Sequence, residues 1–274
     1  MRYYIQLIRP LNCTMAAFAV VIGARIASKM FLIEEVFIAS LVAFLVAGAG
    51  FVINDYFDFE IDKINRPSRP LPSGRVPLRT AYIYALSLFS IGALLAVFIN
   101  IYALFLAVIN SLLLYAYAWR IKKGGGIEKN LTVSYLVASP FLFGGIAVGK
   151  PYVTLILVLL AGLANTGREI IKDIEDYEGD RGFVETLPMQ VGFVRSAQLA
   201  AFFISLALII SPLPYISGIF GAGYLLTVAL ADALFLFTVA NFLVGISIKN
   251  AAKAQRRIKM AMLLALLAFL LGSL

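Results

Sequence analysis

The sequence predicts an all-α polytopic membrane protein with nine transmembrane helices. Three observations carry that reading. Hydrophobic residues make up 62% of the 274 positions and charged residues only 14%, against roughly 25% charged in soluble domains. Apolar stretches recur from end to end, and about 20 such residues suffice to cross a bilayer as a helix. The few charges are also sorted, by sign and by place, along the chain. A soluble fold of this composition would need one large buried core and would be left with a surface poor in polar groups.

Taken in order, the first span is assigned to 11–31. It follows a basic start, Met1–Pro10, that has no convincing cleavage site and is read as part of the mature chain. The second span, 36–57, runs directly into an acidic cluster. The third and fourth, 81–99 and 101–119, are separated only by a tight turn marked by Asn100. The fifth and sixth occupy 131–149 and 152–172, the sixth leading into a second acidic cluster, and the seventh occupies 193–211. The eighth, 217–248, is long and contains Asp232, so one tilted helix and two short segments around a break are both open. The ninth, 258–274, emerges from a basic stretch, Lys249–Lys259.

Charge sets the expected sidedness. With the N-terminus in the cytoplasm, segments 2–9, 58–80, 119–130, 168–195 and 249–259 share one side and hold 20 of the 23 lysines and arginines. Only Arg25, Lys29 and Lys150 fall opposite, which satisfies the positive-inside rule and places the C-terminus outside. Dividing the eighth segment would move Lys249–Lys259 outside and spoil the pattern. The net charge of +8 is thus gathered on one face, suited to anionic headgroups and to an anionic substrate. Nucleic acid is not an expected partner, because the basic residues lie in short loops between spans and not on a separate domain.

What is missing also narrows the chemistry. The single cysteine, Cys13, excludes an internal disulfide framework. The chain has no histidine, so imidazole acid–base chemistry and histidine metal ligands are excluded. A metal site here would be built from oxygen, favouring magnesium, manganese or calcium over zinc or copper.

Ten of the fifteen acidic residues fall in the two clusters at the ends of spans two and six. Carboxylates beside hydrocarbon are costly and are kept mostly for ion, proton or substrate work. In the first cluster Asn54, Asp58 and Asp62 repeat every four residues, which lines them along one helix face. In the second, Asp173, Asp176 and Asp180 do the same at three and four, with Glu169 one turn earlier. Asp55, Glu60, Glu175 and Glu178 fall off these faces. The spacing of the clusters, span two to span six, suggests an internal repeat of a four-helix unit whose acidic ends share the cytoplasmic side and can face each other. Aligned carboxylates without a cation repel and resist ionisation; divalent metal removes that penalty, and magnesium is typically held by carboxylates together with substrate phosphate.

Bases are interleaved with the acids. Lys63, Arg66, Arg69 and Arg75 follow the first motif, and Lys172 and Arg181 accompany the second. Acids for metal alternating with bases for phosphate suit a departing diphosphate. The plainer alternative, interfacial salt bridges and topology signals, explains one motif more readily than a matched pair. Pro67 should end the helix at or before Arg66, leaving an ordered polar loop that covers the site. The run Lys122-Lys123-Gly-Gly-Gly126 reads as a flexible linker or a phosphate contact.

These residues resemble the UbiA-type intramembrane prenyltransferases across nearly the whole chain. The family pattern Asn-Asp-x-x-Asp-x-x-x-Asp followed by Arg-x-x-Arg-Pro is met by Asn54-Asp55, Asp58 and Asp62, then Arg66 and Arg69-Pro70. The second family motif is met by Lys172-Asp173, Asp176 and Gly179-Asp180, with Arg168 where the family carries tyrosine. The resemblance implies a single domain over 1–274, with nine helices around a central cavity open laterally to lipid and motif loops at about 58–80 and 173–192.

It also implies two magnesium ions bridging an isoprenyl diphosphate. One would be held by Asn54, Asp58 and Asp62, the other by Asp173, Asp176 and Asp180 with Glu169 assisting. Arg66, Arg69, Lys172 and Arg181 would bind the diphosphate. Phe51, Tyr56, Tyr115, Tyr117 and Trp119 are candidates to face an allylic cation, although aromatic residues also gather at membrane interfaces.

Within the family the resemblance is strongest to members that alkylate geranylgeranylglyceryl phosphate. The expected reaction is therefore transfer of geranylgeranyl to that acceptor's free hydroxyl, forming the second ether bond of archaeal lipids. Arg9, Asn12, Lys122, Lys123 and Arg168 are the candidate contacts to this lipid-like phosphate acceptor. The rival acceptor is an aromatic ring of quinone biosynthesis. A cation transporter is the rival of another class, and it predicts acids at mid-membrane, where only Asp232 qualifies.

Overall fold

A computed structural model of the chain describes residues 2–28 and 33–273. Lys29, counted above for the outer face, lies outside them. The described residues are helical and contain no strand. The long helices are α2 (Pro10–Ala27), α3 (Ile33–Phe57), α5 (Leu78–Val97), α6 (Ile101–Ala116), α8 (Gly126–Ala147), α9 (Pro151–Glu175), α11 (Leu187–Ile210), α13 (Ala222–Val244) and α14 (Ile248–Gly272). Short helices lie between them: α1 (Arg2–Ile8), α4 (Phe59–Asn65), α7 (Lys122–Gly124), α10 (Tyr177–Asp180) and α12 (Leu213–Ile216). Eight of the long segments have the length and apolarity needed to cross a membrane. The ninth, α14, has 25 residues but carries five lysines and arginines in its first half. Large exposed apolar side chains such as Leu11, Phe98, Phe105, Ile209 and Leu230 suit a hydrocarbon solvent and would be a liability in water.

The chain forms two compact units. The first comprises 1–122 and 139–154, the second 123–138 and 155–274, so α8 and α9 each contribute to both. In the first unit α3 is central, packing on α2, α5 and α6 around Val42, Val46, Ala49, Val52 and Ile53. Glycines allow the closest approaches, as membrane helices require. A Cβ on Gly23 would meet the Phe141 backbone, and one on Gly144 would meet the Val20 carbonyl. In the second unit α13 and α14 form an antiparallel pair, and Ile170, Ile171, Ile174, Ile204 and Ile258 are buried in its core.

Local sequence explains the breaks. Asn100 caps α6, its side chain accepting from the Ala103 amide at 2.9 Å and donating to the Ile146 carbonyl at 3.0 Å, so the predicted tight turn is a capped one. The helix following the first motif ends at Asn65, two residues before Pro67, as proline geometry requires. The loop after it is ordered through buried Leu71 and Val76 and through the Val76 amide bond to the Pro70 carbonyl.

Helix α11 begins at Leu187 but is broken at Gly192 (φ 82°), so the span predicted from 193 matches its longer part. Segment 217–248 contains one unbroken helix over Ala222–Val244, ended at Gly245. The last helix starts ten residues earlier than predicted, at Ile248, because Ser247 caps it and basic side chains are good helix formers. The glycine run after Lys123 is a packed turn and not a flexible linker. Gly125 and Gly126 are buried with φ of 65° and 68°, and a Cβ on Gly125 would collide with the Glu185 carbonyl.

Candidate active site

Each acidic motif sits on the same backbone device. Helix α3 runs 25 residues to Phe57, breaks at Asp58 (φ −85°, ψ 2°) and resumes as α4. Helix α9 runs 25 residues to Glu175, breaks at Asp176 (φ −85°, ψ 3°) and resumes as α10. Amide bonds carry the rise across both breaks: Asp58 to Asn54 and Asp62 to Asp58 in one, Asp176 to Lys172 and Asp180 to Asp176 in the other. The side chains of each motif therefore stay on one face, as the spacing predicts. The shared geometry also fixes the register of the internal repeat, in which Asp55 corresponds to Asp173, Asp58 to Asp176 and Asp62 to Asp180.

In the first unit Asp55, Asp58 and Asp62 are all buried. Arg69 bridges two of them, its Nη1 lying 2.6 Å from Asp62 and 3.2 Å from Asp55. Arg9 reaches Asp55 at 2.5 Å and lies over the Phe51 ring at 4.9 Å. The left-handed backbone at Arg9 (φ 51°) is the one such non-glycine conformation among the described residues. Such a conformation is costly and persists only where its surroundings hold it; here the ion pair to Asp55 does so. Asp58 accepts from the Asn54 amide at 2.9 Å and is paired with Lys122, which also reaches Asn54 Oδ1 at 3.4 Å. Tyr56, Phe57, Tyr82 and Tyr115 form an aromatic cluster alongside, with centroids 5.0–5.5 Å apart and the Tyr82 and Tyr115 hydroxyls 3.3 Å apart.

In the second unit Asp173 is buried and held by Lys129 at 2.6 Å and by the Asn130 amide at 3.0 Å. Glu169 is paired with Arg168, which also contacts Asn165 at 3.3 Å. Asp176 faces Lys172 at 3.7 Å. Burial pushes the Asp176 carboxyl above its usual range; Lys172 opposes the shift, and Asp180 and Glu175 reinforce it. Glu175 accepts from Gln255 of α14 at 2.8 Å.

Of the other expected contacts, Arg66, Arg181, Lys123 and Asn12 are exposed. Trp119 is 55% exposed, unlike the clustered tyrosines.

Three participants escape the sequence reading. Asp55 falls off the face defined by Asn54, yet its two arginine partners make it the hub of the first cluster. Overlaying the two motifs at their 118-residue offset would have matched it to Asp173. Lys129 and Asn130 end the cytoplasmic segment assigned to 119–130, just outside the predicted fifth span, where basic and amide side chains read as ordinary interfacial residues.

Among the described residues no three carboxylates already converge on one point; the acids are held by lysine, arginine and amide groups instead. The donor set nonetheless fits a hard cation. Its atoms are all carboxylate or amide oxygens, the carboxylates already attract positive partners, and the buried Asn130 Oδ1 beside Asp173 has no hydrogen-bond partner.

A profile of the UbiA prenyltransferase family matches residues 14–271, and the chain belongs to that family. It is 46% identical to the digeranylgeranylglyceryl phosphate synthase of Methanococcus maripaludis strain C6, over 99% of this chain and 98% of the relative. A solved structure described as giving structural and mechanistic insights into digeranylgeranylglyceryl phosphate synthase in membranes superposes with a TM-score of 0.90 at 43% identity, covering 99% of this chain and 98% of the other. A UbiA homologue from Archaeoglobus fulgidus bound to DMAPP and Mg2+ shares the fold, with a TM-score of 0.71 at 16% identity over 96% and 99% of the two chains. The protein is a multi-pass membrane prenyltransferase.

Proposed function

We propose that the protein transfers a geranylgeranyl group from geranylgeranyl diphosphate to the free hydroxyl of geranylgeranylglyceryl phosphate. The products are the doubly alkylated ether lipid and diphosphate. The observation that carries this reading is end-to-end similarity, at 46% identity, to a synthase named for that product, together with both acidic motifs on matched helix breaks.

Asn54, Asp58 and Asp62 would hold one magnesium ion, and Asp173, Asp176 and Asp180 with Glu169 a second. When bound, the metal neutralises diphosphate oxygens and stabilises the charge that builds on the leaving group. The protein's own groups do the rest. Arg69 is held at the motif by Asp55 and Asp62, so its charge is pre-positioned for a diphosphate oxygen; Arg66 and Arg181, both exposed, and Lys172, which faces Asp176, would supply further charge to the diphosphate. Lys122 and Lys129 are each seated on a motif carboxylate, Asp58 and Asp173 respectively, and hold a positive charge at each motif.

The allylic C–O bond breaks with its electron pair leaving on diphosphate, and the acceptor oxygen attacks the allylic carbon and loses its proton to solvent. The electron-rich faces of Tyr56 and Tyr115 would stabilise the cation. Arg9, Asn12, Lys123 and Arg168 are the candidate contacts for the acceptor phosphate. In this reading all nine long helices cross the membrane, with the N-terminus and both motifs on the cytoplasmic side.

The test is an acceptor panel. Purified protein with geranylgeranyl diphosphate and magnesium should alkylate geranylgeranylglyceryl phosphate and release diphosphate. Alkylation of a hydroxybenzoate or naphthoate ring alone would move the assignment to quinone biosynthesis, and magnesium flux without diphosphate release would indicate a transporter.

A further inference from the structure

We propose that the outward face of the α13–α14 pair is a docking site for the phosphate headgroup of an anionic membrane lipid, distinct from the motif residues. The second unit contains a cavity of about 220 Å³ lined by Thr238, Asn241 and Phe242 of α13 and by Asn250, Lys253 and Arg257 of α14. No acid lines it. Helix α14 carries Lys249, Lys253, Arg256, Arg257 and Lys259 and no acidic residue over its whole length. Among the described residues none of these five bases forms a salt bridge.

Lys253 and Arg257 stand one turn apart and project on the same side, with the amides of Asn241 and Asn250 also lining the cavity. Arg257 lies over the Phe237 ring at 5.4 Å, which holds its guanidinium at the rim. Sidedness alone requires positive charge on one face of the membrane; it does not require two cations and two amides gathered in one concavity.

The occupant is indicated by what continues from the cavity. The stripe of α14 bearing Lys253 and Arg257 runs on at helical spacing through Met260, Leu267 and Leu271, which are 59%, 50% and 49% exposed. A charged head is thus followed by roughly 16 Å of apolar surface. That sequence of chemistries matches an amphiphile lying along the helix, and basic pockets between membrane helices are suited to anionic headgroups. A free phosphate would make no use of the stripe. Gln255, which bonds Glu175 beside the second motif, lies two residues from each of the two cations and so on the opposite side of α14. The lipid face and the catalytic face of this helix are separate, and the inference does not rest on the prenyl-transfer reading.

The experiment is native mass spectrometry of the full chain in detergent, titrated with phosphatidylglycerol, with phosphatidylcholine of the same acyl chains, and with inorganic phosphate. Phosphatidylglycerol should bind the wild type at least tenfold more tightly than phosphatidylcholine. The K253Q/R257Q variant should weaken phosphatidylglycerol roughly 30-fold. The R256Q/K259Q variant, which removes equal charge outside the cavity, should weaken it less than about fivefold. Helical circular dichroism should be unchanged in both variants, since the replaced side chains are exposed, and prenyl transfer should be unchanged in K253Q/R257Q, whose side chains lie on the side of α14 away from Gln255. Equal loss in the two variants would reduce the site to diffuse surface charge. No preference between the two lipids, or inorganic phosphate binding as tightly as phosphatidylglycerol, would overturn the lipid assignment.

Discussion

Replacing Lys129 with methionine isolates the contribution of a buried charge to the second motif. Lys129 Nζ lies 2.6 Å from Asp173, and the two side chains are only 10% and 5% exposed. Methionine keeps most of the volume and removes the charge, so the buried carboxylate is left with the Asn130 amide at 3.0 Å. Breaking a buried pair from one side costs about 3–5 kcal/mol, because the surviving charge is uncompensated. The retained amide bond puts K129M near the lower end, about 3 kcal/mol. Neutralising both partners in K129M/D173N should recover most of that loss. K63M is the control, since Lys63 and Glu60 are 3.0 Å apart but 46% and 78% exposed; it should cost under about 0.5 kcal/mol. The assay is equilibrium unfolding of metal-free protein in mixed micelles, followed by helical circular dichroism. A K129M protein within about 1 kcal/mol of wild type, or a double variant no better than K129M, would refute the reasoning.

D58N and D173N should each lower turnover by about 10²–10³-fold with helical content unchanged. D232N should cost less than about tenfold, because Asp232 is committed to Ser211 at 2.5 Å within the α11–α13 contact; steady-state rates beside circular dichroism check the contrast. Burial raises the Asp176 carboxyl in the folded protein, so the fold binds that proton more tightly than the unfolded chain does. Metal-free stability should therefore fall as pH rises from the ordinary carboxylate range through the raised folded value, then level off. D176N should make that slope shallower and be more stable than wild type at neutral pH while losing activity, which chelator-treated unfolding series would show. G125A should lose at least about 2 kcal/mol, because the Glu185 backbone occupies the Cβ position and φ is 65°; the same unfolding assay measures it.

Much of the architecture was legible because membrane helices are written in long apolar runs and their ends in charge. The breaks at Asn100 and Pro67 follow from a capping side chain and a missing amide, both local effects. The start of α14 was not legible, since a basic amphipathic turn and a cytoplasmic loop have the same composition. The motif acids were legible from spacing alone. Their partners were not: Arg9 is 46 residues from Asp55 and Lys129 is 44 from Asp173, and nothing local marks such pairings. Asp55 was misjudged for a different reason. A face drawn through Asn54 excludes it, whereas the repeat shown by the matched breaks at Asp58 and Asp176 includes it.

The most direct test of the account follows the acceptor oxygen. Geranylgeranylglyceryl phosphate labelled with oxygen-18 at its free hydroxyl is incubated with geranylgeranyl diphosphate, magnesium and the purified protein, and the products are weighed by mass spectrometry. If that hydroxyl attacks the allylic carbon, the label stays in the new ether bond and the released diphosphate is unlabelled. Label in the diphosphate, or diphosphate release without an ether product, would contradict it.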